Sequence, residues 1–146
     1  MSTILGLVDN KEEVLIFQPF YENYVPGVTM AEGKPVFTTI DKELNIDYED
    51  IKNKINKDTK LIILNTPHNP TGKIFEKDEL KFLKDLCIDN DVLVATDEMY
   101  ERIIFDGEHI SMASLEDMWE RTMTIGGFSK AYSITGWRVV YASASE

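Results

Sequence analysis

Residues 61–72 read Leu-Ile-Ile-Leu-Asn-Thr-Pro-His-Asn-Pro-Thr-Gly. An apolar run of four, ended by a turn rich in Asn, Pro and Gly, has the length of a buried strand and is too short for a helix. Similar short runs lie on either side, at Val14–Phe17, Val36–Ile40, Val92–Ala95, Met123–Ile125 and Val139–Ala142. Between them, Tyr48–Ile55 and Glu76–Ile88 carry apolar residues at three- and four-residue spacing. The second helix places acidic residues in its first turn and Leu80, Leu83, Leu86 and Cys87 on one face, which suits packing against a sheet. This alternation predicts an α/β fold, a mostly parallel sheet with helices on both faces. No repeat, low-complexity tract or Pro/Gly/Ser linker divides the chain, and 146 residues with 43% hydrophobic content suit one core.

In open α/β sheets ligands bind beyond the carboxyl ends of the strands, so the residues just after each strand are where chemistry belongs. Val14–Phe17 is followed by Gln18-Pro19-Phe20-Tyr21, and Leu61–Leu64 by Asn65 to Gly72. Val92–Ala95 leads into Thr96-Asp97-Glu98-Met99-Tyr100, and Met123–Ile125 into Gly126-Gly127-Phe128-Ser129-Lys130. If these strands are neighbours, one rim collects aromatic rings, amides, a carboxylate, a phenol, a hydroxyl and an amine, with Arg138 eight residues beyond Lys130.

Taken singly, each piece has an ordinary reading. Asn69-Pro70-Thr71-Gly72 is a common turn, Asp97 suits a helix cap, and an isolated lysine such as Lys130 is usually a solvated surface residue. Tyr21 and Tyr100 suit packing positions with a polar tip. Their coincidence at four strand ends is what points to a site.

Composition and motifs exclude several classes. Fifteen Lys and Arg face 26 Asp and Glu, and a formal net charge of -11 repels phosphate backbones and anionic lipid, so neither nucleic acid nor membrane is an expected partner. The run 41–58 mixes both signs and reads as a solvated face. Gly126 and Gly127 fit neither a phosphate loop nor a dinucleotide fingerprint, and Ser129 lies outside any Gly-x-Ser-x-Gly context. Two histidines, His68 and His109, and one cysteine offer no metal-ligand spacing. Cys87 reads as a small buried hydrophobe. No apolar run approaches the roughly 18 residues needed to span a bilayer, and no secretory signal pattern opens the chain, which together predict a cytoplasmic address.

Asn65 to Gly72 (NTPHNPTG), Asp97 to Tyr100 (DEMY) and Gly127 to Arg138 (GFSKAYSITGWR), with Pro19-Phe20-Tyr21 upstream, resemble the class I/II aminotransferases in order and approximate spacing. These are pyridoxal-phosphate enzymes of fold type I, and the resemblance covers essentially the whole chain. It implies that Lys130 forms a Schiff base with pyridoxal 5'-phosphate and moves the proton at the substrate α-carbon, a task favoured by partial desolvation and nearby positive charge. It further implies that Asp97 faces the pyridine nitrogen, that Asn69 and Tyr100 bond the ring's phenolic oxygen, and that Tyr21 stacks on the ring. Arg138, with Ser129 as a weaker candidate, would meet the phosphate.

Two positions depart from the family pattern. Gly127 stands where many members have a phosphate-binding serine, and Val140 stands where glycine or alanine is usual, so a branched side chain is expected to crowd the cofactor's surroundings. The resemblance also implies that residues 1–146 are the central part of the cofactor-binding large domain, without the small domain and the amino-terminal segment. The expected activity is exchange of an amino group between an amino acid and a 2-oxo acid, in a homodimer. A carbon-sulfur lyase on the same scaffold and a non-catalytic truncated domain are the alternatives.

Overall fold

A computed structural model describes residues 1–146. In chain order the elements are α1 (Ser2–Leu7), β1 (Glu13–Gln18), α2 (Tyr24–Met30), β2 (Lys34–Thr39), α3 (Tyr48–Lys54) and β3 (Thr59–Asn65). They continue with α4 (Lys77–Asn90), β4 (Leu93–Asp97), β5 (Thr122–Gly127), α5 (Phe128–Ala131) and β6 (Val140–Ser143), with short 3-10 turns after β4 and α5. The six strands form one sheet in the order β2-β1-β3-β4-β5-β6. All neighbours are parallel except β5 and β6, which run antiparallel.

Helices cover both faces, as the sequence predicts. On one side α3 and α4 bring Ile51, Leu80, Leu83 and Cys87 against Leu15, Phe17, Ile62, Leu64 and Val94 of the strands. On the other side α1 and α2 place Ile4, Val8 and Val28 on Val14, Ile16, Leu61 and Ile63. β3 sits in the middle of these two layers, and Leu61 to Asn65 are all buried. That burial on both sides is why its sequence is continuously apolar instead of alternating. Asp47 caps α3 by accepting from the Asp50 amide at 2.9 Å. At the start of α4 the Glu79 carboxylate accepts from the Glu76 amide at 2.9 Å, and the helix ends at Asp91 in the left-handed region. Cys87 is buried, as expected, and burial pushes its thiol up to about 12.

The helices α1, α2 and α5 are additions to the sequence reading. The heptapeptide of α2 contains Pro26 and Gly27, residues that argue against a helix interior. Gly27 lets α1 cross closely there: a Cβ on it would meet Ile4 Cδ1 at 2.8 Å, and the Ile4 side chain would have to shift. Tertiary packing therefore overrides propensity. No helix is long and apolar enough to cross a membrane. β6 is exposed along its whole length, and Trp137, Val140 and Tyr132 are among the most exposed large apolar side chains.

Candidate active site

β1, β3, β4 and β5 are consecutive neighbours in a parallel array, so the four polar clusters that follow them lie along one rim. Asp97 ends β4, in register with Asn65 of β3 on one side and Ile125 of β5 on the other. Asn65 ties the rim together. Its Nδ2 donates to the Asp97 carbonyl at 2.8 Å and to the Pro67 carbonyl at 3.2 Å, while its Oδ1 accepts from the Asn69 amide at 2.6 Å. One buried side chain thus fixes the position of Asn69 relative to Asp97. Its amide appears within the NTPHNPTG signature, but only the three-dimensional pairing reveals this bracing role.

The turn closes on itself as well. The Gly72 amide donates to the His68 carbonyl at 2.7 Å, with Gly72 in the left-handed region at φ +76°, where glycine is the residue of choice. His68 is buried, and its Nδ1 lies 2.8 Å from Thr71 Oγ1. Burial first, and the nearby Lys73 charge second, push its imidazole down to about 4. Lys73 in turn is paired with Glu79 of α4.

The Asp97 carboxylate has two partners. Tyr24 Oη, from the first residue of α2, donates to Oδ2 at 2.7 Å, and the Met99 amide donates to Oδ1 at 3.2 Å. Asp97 is therefore anchored, and it is not a helix cap because no helix begins between it and Met112. Burial first, then the charge of Asp97, push the Tyr24 phenol well above the ordinary tyrosine range. Tyr24 was not anticipated as a site residue; the spacing Tyr21-x-x-Tyr24 at the opening of a helix was its only signal. Tyr21 is exposed and meets the Tyr24 ring edge-on, with centroids 5.7 Å apart.

Lys130 lies in α5, directly after β5. Its Nζ stands 5.9 Å from the centre of the Tyr100 ring, near the outer limit for a cation–π contact. Lys130 is solvent-exposed, so these 146 residues do not supply the desolvation expected for it. Ser129 is half-buried, and its hydroxyl donates to Met99 Sδ at 3.6 Å. Arg138 is exposed, with φ 54°, and its guanidinium makes neither a hydrogen bond nor an ion pair with the other candidates. The structure therefore gathers Asp97, Asn69, Tyr100, Lys130 and Tyr21 on one rim, sets Ser129 beside them, and leaves Arg138 unengaged.

The two departures from the family pattern can be placed in the structure. A Cβ on Gly127 would meet Met99 Sδ at 3.0 Å, Met99 Cε at 3.1 Å and the Val139 carbonyl at 3.1 Å, so a serine there requires these neighbours to give by a few tenths of an ångström. Val140 is paired opposite Gly127 and is 61% exposed, so within these 146 residues its branched side chain presses on no neighbour.

Two further features adjoin the rim. Glu98 is buried, with Oε2 3.0 Å from His109 Nε2 and Oε1 accepting from Ser111 Oγ at 2.7 Å. A cavity of about 1000 Å³ opens beside Asn69 and Tyr100 and runs past Tyr48, Lys73 and Phe105, but neither Lys130 nor Asp97 lines it. Of the candidate residues, only Asn69 and Tyr100 face this hollow.

The chain is similar to known proteins along essentially its whole length. The family described as aminotransferase class I and II matches residues 2–146. Human kynurenine–oxoglutarate transaminase 3 is 41% identical over 150 residues, covering 94% of this chain and 33% of that protein. A probable aspartate aminotransferase of Methanocaldococcus jannaschii is 41% identical over 146 residues, covering 100% of this chain and 38% of its own length. Among solved structures, the N-succinyldiaminopimelate aminotransferase of Mycobacterium tuberculosis superimposes with a TM-score of 0.96 at 33% identity, covering 99% of this chain and 38% of that one. The chain spans between 33% and 38% of the length of these relatives. With the family matched over all but its first residue, the chain belongs to the class I and II aminotransferases.

Proposed function

We propose that this chain carries the lysine-bearing part of an aminotransferase site, which exchanges an amino group between an amino acid and a 2-oxo acid with pyridoxal 5'-phosphate as cofactor. The observation that carries this reading is the convergence of Lys130, Tyr100, Asn69 and Asp97 at the ends of three adjacent parallel strands, with Lys130 Nζ over the Tyr100 ring. The donor set fits the cofactor's chemistry. Asp97, anchored through both carboxylate oxygens, would hold the proton on the pyridine nitrogen, and each of those oxygens keeps a lone pair for it. The Asn69 side-chain amide and the Tyr100 hydroxyl make no hydrogen bond within the chain and would bond the phenolic oxygen. Tyr21, exposed beside Tyr24, offers an aromatic face, while Ser129 and Arg138 offer a hydroxyl and a cation to the phosphate.

Bound there, pyridoxal phosphate would supply an electron sink for the charge left when a proton leaves the substrate α-carbon. Lys130 would hold the cofactor covalently and, once released, move that proton through Nζ. Each role is the one the family resemblance implies, and each residue has the chemical type for it. We further infer a homodimer acting in the cytoplasm, a reading supported by family kinship and, for self-association, by the exposed apolar surface of Trp137, Val140 and Tyr132.

Adding pyridoxal 5'-phosphate to the chain should produce a visible absorption band, and borohydride should fix the pyridoxyl group onto Lys130, as peptide mass mapping would show. The absence of a band, or a band unchanged by Lys130→Ala, sinks the cofactor reading. Release of a 2-oxo acid from a panel of amino donors then tests the transfer itself.

A further inference from the structure

One group on the rim takes no part in that chemistry. Tyr24 reaches Asp97 from a separate helix, 73 positions away in sequence, and makes the shorter of the two hydrogen bonds to that carboxylate, 2.7 Å against 3.2 Å. The neighbouring ionisable groups around its hydroxyl are Asp97, Tyr21 and Tyr100. Asp97 is its only hydrogen-bond partner. A phenol donating to a carboxylate draws negative charge from it, and a half-buried setting screens that effect less than water does.

We propose that Tyr24 is a positioning residue that sets how strongly Asp97 holds a proton on the cofactor's ring nitrogen. The inference rests on the pyridoxal-phosphate reading, because Asp97 has that role only if the ring lies on this rim. Oδ2 can accept from Tyr24 and from a ring N–H together, since a carboxylate oxygen has two lone pairs. Each donor weakens the other. Tyr24 therefore lowers the negative charge offered to the ring nitrogen and keeps the carboxylate oriented while doing so. The phenol's upward-shifted titration is consistent with this role, because it remains a donor throughout the physiological range.

The sign of the effect separates tuning from simple support. If Tyr24 shares the charge of Asp97, Tyr24→Phe leaves more charge for the ring and makes the ring nitrogen more basic. If Tyr24 only props Asp97 in place, the same change lets the carboxylate turn away and makes that nitrogen less basic.

The experiment uses the full chain with ¹⁵N-labelled pyridoxal 5'-phosphate, reduced by borohydride so that the ring stays on Lys130, and follows the ring-nitrogen chemical shift against pH. Tyr24→Phe is expected to move the ring-nitrogen titration up by about one pH unit, a tenfold change in proton affinity. Replacing Tyr24 with 3-fluorotyrosine, a stronger donor of nearly the same shape, is expected to move it down. This second replacement keeps the test valid if Tyr24→Phe fails to fold. No movement with either replacement, or a downward movement with Tyr24→Phe, overturns the proposal. If the unsubstituted chain retains no cofactor after reduction, the site reading itself has failed and this inference falls with it, an outcome recognisable before any substitution is made.

Discussion

Lys73 and Glu79 form an ion pair of 2.8 Å whose side chains are only 6% and 9% exposed. It joins the Asn65–Gly72 turn to the first turn of α4, and the other Glu79 oxygen accepts from the Glu76 amide at 2.9 Å. Removing one member of a buried pair strands the other charge, at a cost of about 3–5 kcal/mol. Lys73→Met and Glu79→Leu should each lower stability by about that amount in urea denaturation. The double variant should lose markedly less than the sum, because no stranded charge remains. Additive losses would show that the pair is not energetically coupled.

His68 gives the stability a specific pH dependence. Its folded value is depressed to about 4 from an ordinary 6.5, so between these limits the unfolded chain binds a proton that the folded chain does not. Stability is intact above pH 6.5 and falls as pH drops toward 4, by roughly 3 kcal/mol over the whole window. His68→Gln should flatten the curve between pH 4 and 6.5. The carboxylates held low by hydrogen bonds, Glu13, Asp41, Asp50 and Asp91, should act mainly below about pH 4.5. An unchanged slope in the variant would contradict this assignment.

Fold and site were legible in the sequence to different depths. All six strands and the helices α3 and α4 announce themselves, because β3 and its neighbours are buried on both faces and α4 has a clean apolar stripe at Leu80, Leu83 and Cys87. The rim was legible because its groups sit directly after strands. What stayed hidden depends on contacts remote in sequence. α2 contains Pro26 and Gly27 and is helical because α1 packs on it. Tyr24 bonds Asp97 and Asn65 bonds the Asp97 carbonyl, and neither pairing leaves a periodic trace. Nor does the sequence show that Val140 pairs opposite Gly127 with its side chain exposed.

Gly127 is held small by its neighbours. A new Cβ would press on the flexible tip of Met99 and on the Val139 carbonyl, which belongs to the backbone between α5 and β6 and yields less readily. Gly127→Ser should therefore destabilise the chain by about 1–3 kcal/mol, in the range of other overpacked sites. Adding Met99→Ala should recover part of that loss and not all of it. Full recovery in thermal or urea unfolding would show that only Met99 was in the way. An unaffected single variant would show that the contact is easily relieved.

Glu98 holds the segment that follows Tyr100. Its carboxylate is buried and binds both His109 and Ser111, closing a loop that includes Phe105, which is 97% exposed. The two ends of that loop are joined through this one side chain, since Glu98 lies beside Asp97 and Ser111 precedes the turn at Met112–Ser114. Glu98→Ala would leave the Ser111 hydroxyl and His109 Nε2 without this partner, on a ring whose Nδ1 already has none. Each unmade buried hydrogen bond costs about 1–3 kcal/mol, so the variant should lose roughly 2–5 kcal/mol. The loss should be local before it is global: amide hydrogen exchange should quicken first across residues 99–111, where the loop opens, while β1 and β3 stay protected. Ser111→Ala removes only the 2.7 Å bond and should show the same pattern at about half the size or less. Equal loss of protection throughout the sheet would mean that Glu98 supports the core and not the loop.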